Sequence, residues 1–201
     1  MVLVFATVQF YGFAKQKETL RHCNSLPYGG ESAQNCSMQK TIYIAGGCFW
    51  GVEAYYRQLK GVIGTRVGYA NGTTAFPKYE DLKSGNADHA EAVQIVFDPE
   101  VISIADLMDH YLRFVDPYSV DQQGHDKGHQ YRTGVYYVDL LDGVEVEEYL
   151  SSHLEPGYKI SIEMMRNFFP AEEYHQRYLE KNPGGYCHVD LNLAKGSEKK
   201  N

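Results

Sequence analysis

Residues 41–53 read Thr41-Ile42-Tyr43-Ile44-Ala45-Gly46-Gly47-Cys48-Phe49-Trp50-Gly51-Val52-Glu53. The first five residues are β-rich. From Phe49 the pattern turns helical and runs to about Lys60, closed by Gly61. The double glycine permits a tight corner between the two elements. Cys48 therefore stands at the start of a helix, where unpaired N–H groups and the helix dipole favour an anion. A thiol so placed is expected to ionise more easily than a free one, and the thiolate is the nucleophile. Phe49 and Trp50, the only tryptophan, put apolar ring area beside the sulfur. The stretch suggests a reactive thiol facing something small, apolar and electrophilic. For these residues alone, an inert buried cysteine among core aromatics is the alternative.

Working outward, residues 62–70 read as a second strand ended by Asn71-Gly72. A loop with Phe76, Pro77 and Tyr79 follows. Residues 90–97 alternate as a third strand, closed by Asp98-Pro99. Residues 103–115 have helical periodicity, and Ser103 with Asp106 forms an N-terminal capping pattern. Residues 116–132 form a long, polar, glycine-bearing loop, a length that is often functional. Beyond it lie an expected strand at 134–139, an acidic helix at 141–154, a strand at 160–164 and a short helix at 171–180. A Pro-Gly-Gly turn then presents Cys187. The order β-α-β-β-α-β predicts an α+β domain. Its expected core is a ferredoxin-like split βαβ unit, with one mixed or antiparallel sheet covered by helices.

The 201 residues suit one compact domain with an extension. Residues 1–39 are expected to be an N-terminal extension, 40–190 the catalytic domain and 191–201 a flexible charged tail. Residues 2–14 are mostly apolar, with small residues near their end but no basic segment before them. An export signal and a docked terminal element both fit. Cytoplasmic residence is expected, with export or a periplasmic location as the alternative if 1–14 act as a signal. The polar arm at 15–39 carries Cys23 and Cys36, as a disulfide outside the cytoplasm or as spectator thiols inside it. No run is long enough to span a membrane. Nineteen basic against 26 acidic residues, net charge -7, leave no basic footprint for nucleic acid. The four cysteines form no C-x-x-C pair, no zinc ribbon and no short disulfide scaffold.

The chemistry needs partners for Cys48. Glu91, in His89-Ala90-Glu91, begins the third strand. In an apolar pocket desolvation would raise its pKa and make it a proton donor, whereas a solvated strand end would be inert. Asp126 and Tyr131 come from the long loop and Tyr79 from an earlier one. Cys187 sits where a thiol would if it had to swing toward another sulfur, although an unpaired surface cysteine is equally simple.

Together these residues resemble the A-type peptide methionine sulfoxide reductases. The likeness is carried by Gly-Cys-Phe-Trp-Gly-Val-Glu at 47–53, Gly68-Tyr69-Ala70, Tyr79, His89-Ala90-Glu91-Ala92-Val93, Asp116-Pro117, the residues from Gly124 to Arg132, and Lys181-Asn182-Pro183 with Gly185-Tyr186-Cys187. It covers about residues 40–190. The resemblance implies that Cys48 attacks the sulfoxide sulfur and that Phe49 and Trp50 hold the substrate methyl group. It implies that Glu91 protonates the oxygen, helped by Tyr79 and Tyr131, with Asp126 a polar residue of the same pocket. Cys187 matches the resolving cysteine, which would form a disulfide with Cys48 that thioredoxin or a similar dithiol reduces. The expected substrate is methionine-S-sulfoxide, free or in oxidised proteins, with no cofactor and no metal, in a monomer. Some members carry a later relay cysteine, but none follows Cys187 here. Ala87-Asp88 replaces the Thr-Gly often found before His-Ala-Glu.

Three rivals are weaker. A thiol–disulfide oxidoreductase would lack C-x-x-C and leave Glu91 idle. A metal module of His125, Asp126, His129 and His188 would place its His-x-x-x-His on a glycine-interrupted loop rather than a helix. A reductase fold that only binds methionine-containing proteins has no use for intact Cys48, Glu91 and Cys187.

Overall fold

The computed structural model describes residues 38–200. The apolar run at 2–14 and the arm with Cys23 and Cys36 lie outside the described residues.

Among the described residues, eight strands and five α-helices follow one another as β1 (Lys40–Ala45), α1 (Phe49–Arg57), β2 (Val62–Ala70), α2 (Tyr79–Ser84), β3 (Ala90–Phe97), α3 (Ile104–Leu112), β4 (Gln122–Gln123), β5 (Asp126–Lys127), β6 (Gly134–Tyr137), α4 (Leu140–His153), β7 (Ser161–Met164), β8 (Phe168–Pro170) and α5 (Tyr178–Lys181). The main sheet runs β7-β6-β1-β3-β2-β8. β3 lies antiparallel between β1 and β2, and β6 lies antiparallel to β1. That inner order is the split βαβ unit the element order predicted. β7 pairs parallel to β6 at one edge, and β8 pairs antiparallel to β2 at the other, so the sheet is mixed.

Period-two alternation decides which face each side chain takes. Ile42 and Ile44 of β1 join the main core, whereas Tyr43 and Ala45 join a smaller cluster with Ala90, Ala92 and Tyr136. On β3, Val93, Ile95 and Phe97 face the main core and Ala90 and Ala92 face away. The same alternation sends Glu91 to the main-core side, which α1 also covers. α1 buries Phe49, Val52, Tyr55 and Tyr56. Each such side chain stabilises by roughly 1.5–3 kcal/mol. Together they outweigh the penalty of about 1 kcal/mol for Gly51 in a helix interior.

α3 begins with the expected box: Asp106 N–H donates to Ser103 Oγ, and Ser103 N–H donates to the Asp106 carboxylate. Its Tyr111 hydroxyl donates to Ala45 O at 2.6 Å and accepts from Gly134 N–H at 3.1 Å. One buried phenol thus fixes the end of β1 against the start of β6, just before the glycine corner.

Four expectations need correction. The helix expected over 171–180 is only the single turn of α5. Residues 171–177 instead make turns closed by His175 N–H to Glu172 O and Gln176 N–H to Glu173 O. Ala171 and His175 are buried four residues apart, as on one face of a helix, but the conformation between them is not helical. Arg177, at φ 53°, ends any continuous helix there, and the Gln176 amide bonds Val67 N–H and O in place of a further strand residue. β8 was not foreseen; it pairs with β2 at Gly68, where a Cβ would stand 2.5 Å from Phe169 O. α2 was read as loop, although Lys78 N–H to the Asp81 carboxylate and Gly85 at φ 77° bound it. Finally, the tail expected to be loose is docked: Lys60 N–H donates to Glu198 O, Lys200 N–H donates to Gln58 O, and Arg113 pairs with Glu198. A charged tail reads as solvated until the cation that meets it is known.

Candidate active site

The corner after β1 turns at Gly47, φ 86°, with no room for a side chain, since a Cβ would stand 2.7 Å from His188 Nε2 and 2.8 Å from Gln123 Cβ. Cys48 follows as the N-cap residue of α1 and is 6% exposed. Phe49 N–H, one of the unpaired donors of the helix start, donates to Glu91 Oε2 at 3.1 Å. β3 thus supplies the carboxyl that caps α1, and that bond places it beside the thiol.

Glu91 is 1% exposed. Burial pushes its pKa up to about 8; the Phe49 N–H opposes the shift and the Asp126 charge adds to it. At neutral pH it is mostly the neutral acid, as a proton donor must be. Cys48 departs from expectation. Burial first, then the neighbouring Glu91 charge, raise its pKa well above the thiol range, and the Trp50 N–H only partly offsets them. The helix start does favour the thiolate, but desolvation outweighs it. A protonated Glu91 removes the second of those causes.

A cavity of about 290 Å³ is lined by Cys48, Phe49, Trp50, Tyr79, Glu91, Asp126, Tyr131 and Tyr186. All seven residues expected around one site, Cys187 apart, line this cavity. The Phe49 and Trp50 rings lie 6.5 Å apart. Trp50 stacks on Tyr178 at 3.7 Å, and its Nε1–H donates to His175 Nδ1 at 3.1 Å. Tyr79 and Tyr131 bring two phenols to the cavity. Burial and the Glu91 charge raise the pKa of both phenols, so both stay protonated donors. Asp126 Oδ2 accepts from Tyr186 Oη at 3.0 Å.

Cys187 is free, as is Cys48, and half-buried. Its thiol donates to Val189 O at 3.0 Å, and its Sγ lies 3.2 Å from where a Cβ on Gly51 would stand. It therefore rests against α1, one turn from Cys48. Burial raises its pKa and Asp190 adds to the shift.

Sequence reading missed the residues that hold the site. His175 and Tyr178 fix Trp50. Glu172 accepts from Tyr69 Oη at 2.6 Å and from Tyr79 N–H at 3.1 Å, which sets the entry of α2. His188 binds Gly46 O at 2.9 Å through Nε2. Only Tyr186 and His188 carried a local signal, by adjacency to Cys187. Of the four residues of the metal rival, His125 and His129 are exposed and His129 pairs with Asp121, so they do not converge with Asp126 and His188.

The family model for peptide methionine sulfoxide reductase matches residues 40–201. The chain is 47% identical over 155 residues to a peptide methionine sulfoxide reductase MsrA of Lachnoclostridium phytofermentans, covering 76% of this chain and 93% of that protein. It is 44% identical over 161 residues to the MsrA of Ureaplasma urealyticum, covering 79% and 98%. Among solved structures, reduced Mxr1 of Saccharomyces cerevisiae superposes with a TM-score of 0.68 at 35% identity, over 78% of this chain and 91% of that one. Methionine sulfoxide reductase A of Corynebacterium diphtheriae does so with 0.66 at 33% identity, over 74% and 77%. With an acid, two phenols and a thiol around one aromatic-walled pocket, and with relatives of this likeness over most of their length, the chain belongs to the A-type peptide methionine sulfoxide reductases, which are oxidoreductases.

Proposed function

We propose that this protein reduces methionine-S-sulfoxide, free or within oxidised proteins, by way of a Cys48 sulfenic acid and a Cys48–Cys187 disulfide that thioredoxin or a similar dithiol resets. The observation that carries the reading is a neutral carboxylic acid, Glu91, buried within reach of the first N–H of α1 and beside the Cys48 thiol.

The sulfoxide oxygen is a poor leaving group until protonated. Glu91 gives it a proton, and Tyr79 and Tyr131 donate hydrogen bonds to the developing hydroxyl. The Cys48 sulfur attacks the sulfoxide sulfur, and its own proton returns to Glu91. The hydroxyl then passes to Cys48, which is oxidised to the sulfenic acid as methionine is released. Cys187 condenses with that sulfenic acid to give a disulfide and water. An external dithiol attacks the disulfide and restores both thiols. The pocket has an aromatic side, Phe49 and Trp50, and an acid side. A chiral sulfoxide fits such a pocket in one hand, and one reductase per epimer is the general division.

The test is methionine formation from each resolved epimer, with dithiothreitol and with thioredoxin. Turnover of the S epimer with both reductants is expected. Turnover of the R epimer, or of neither, overturns the reading. Cys48→Ser should abolish reduction, and Cys187→Ser should release about one methionine per chain and stop at the sulfenic acid. Normal thioredoxin-driven cycling of Cys187→Ser would remove Cys187 from its role.

A further inference from the structure

The ring of His188 is 5% exposed at its side chain and touches two parts of the site at once. Nε2 lies 2.9 Å from Gly46 O. A carbonyl oxygen can only accept, so Nε2 carries the proton. In the neutral ring the lone pair is therefore on Nδ1. Nδ1 is buried and has no hydrogen-bond partner, a condition that calls for an explanation. It stands 3.2 Å from the point a Cβ on Gly51 would occupy, and the Cys187 Sγ stands 3.2 Å from the same point. The basic lone pair and the second thiol thus share the bare surface of one helical glycine. The thiol proton of Cys187 meanwhile rests on Val189 O, which cannot remove it.

We propose that His188 takes the thiol proton of Cys187 in the disulfide-forming step. This rests on the reading of Cys187 as the resolving cysteine. As the turn at Gly184 lets Cys187 leave Val189 O, Nδ1 accepts its proton, and the thiolate sulfur attacks the sulfur of the Cys48 sulfenic acid. The S–O bond breaks, and the hydroxide leaves as water with the proton of neutral Glu91. The imidazolium proton returns to the Glu91 carboxylate through solvent. One sulfenic acid and one thiol become a disulfide and water, the sulfenic sulfur being the oxidant, with no other oxidant or reductant. The bond to Gly46 O holds the ring against the corner that carries Cys48, so the acceptor stays near the sulfur while its neighbour moves.

The groups about the ring fit a neutral base. Asp126 Oδ2 is 3.8 Å from Nδ1 and itself accepts from Tyr186 Oη. The corner brings the Cys48 thiol, Gly51 brings no side chain, and Cys187 is the titratable neighbour on the ring's own segment. Burial depresses the His188 pKa, and the Gly46 bond and the Asp126 charge oppose the shift without cancelling it. The ring is therefore unprotonated at neutral pH and available as a base.

The experiment is a single turnover of the full chain with methionine-S-sulfoxide, acid-quenched for methionine and for the Cys48–Cys187 disulfide, comparing wild type with His188→Gln. The glutamine amide can still donate to Gly46 O, so the tether is kept and the basic lone pair is lost. The methionine burst should slow far less than the disulfide step. Disulfide formation should slow by about 100-fold, the low end of the range for a lost proton-transfer group. Its rate in wild type should rise as pH passes upward through the imidazole pKa, and that rise should vanish in the variant. Imidazole added to His188→Ala should restore the disulfide step. An unchanged disulfide rate and pH profile in His188→Gln overturns the proposal, and so does a burst slowed as much as the disulfide. Failure of the underlying reading looks different: no Cys48–Cys187 disulfide forms in wild type.

Discussion

Glu91 carries two tasks that oppose each other in most proteins. It caps a helix, which favours a charged carboxylate, and it must keep a proton, which burial favours. Burial prevails, and its pKa of about 8 has consequences at two levels. For catalysis, the single-turnover rate of methionine formation should fall as pH rises through about 8. Glu91→Gln should lower that rate by roughly 100-fold with little change in KM, since general acids contribute about 10²–10⁴-fold and act in the transition state. The variant should also lose the alkaline limb. For stability, the folded carboxyl holds a proton that the unfolded one, near 4.5, releases earlier. Stability should therefore decline as pH rises from about 4.5 to about 8 and level off above. Denaturant titrations across that window should show the slope in wild type and not in Glu91→Gln. A matching slope in both proteins would mean that Glu91 is ionised in the native state at neutral pH. At the same scale, Cys48 shows the limit of a local argument. The helix start was legible at Cys48, but the burial that outweighs it depends on β3 and the long loop, which are distant in sequence.

At the scale of elements, what was legible followed periodicity. β1, β2 and β3 lie within a residue of expectation because alternation and the turn residues after them are strong local signals. What was not legible was structure that side chains complete from afar. The turns at 171–177 have the inward spacing of a helix, yet Ala171 O accepts from the Gln176 amide, Ala171 N–H donates to Val67 O, and the Gln176 amide also bonds the backbone of Val67. Here lay the residues that hold Trp50, so the pocket lining was readable and its support was not. α1 offers a sharper test of how elements share the site. Alanine for glycine in a helix interior usually gains about 1 kcal/mol. At Gly51 the new Cβ would meet Val189 Cγ2 at 3.1 Å and both Cys187 Sγ and His188 Nδ1 at 3.2 Å. Gly51→Ala should push the 187–189 segment off the helix and cancel that gain. Its melting temperature should not rise, and disulfide formation should slow several-fold while the methionine burst persists. A stabilised variant with an unchanged disulfide rate would show that the segment yields freely.

Across the whole molecule, the chain after Cys187 returns to the far end of the helix that begins at Cys48. Val189 and Ala194 are buried, Lys199 bridges to Leu59, and Glu198 closes the path on Arg113, which also holds Asp109. The movable thiol is thereby anchored downstream by a docked tail and freed upstream by the Pro-Gly-Gly turn. The ion pair in that anchor, its side chains 21% and 25% exposed, is worth little on its own and depends on pH. The Arg113 guanidinium holds the Glu198 carboxyl down at about 2, against burial that acts the other way. A depressed carboxyl stabilises the docked tail above its unfolded value of 4.5, and that contribution is lost as pH falls from there toward 2. Glu198→Gln should remove it at neutral pH. Hydrogen exchange at the Lys60 amide, which donates to Glu198 O, should quicken by about 2- to 5-fold, as expected for the loss of an ion pair worth up to about 1 kcal/mol. The same exchange in wild type should quicken on acidification below pH 4.5, after correction for intrinsic rates, and in the variant it should not. Equal protection in both proteins at neutral pH would assign the docking to the buried Val189 and Ala194 instead of the ion pair.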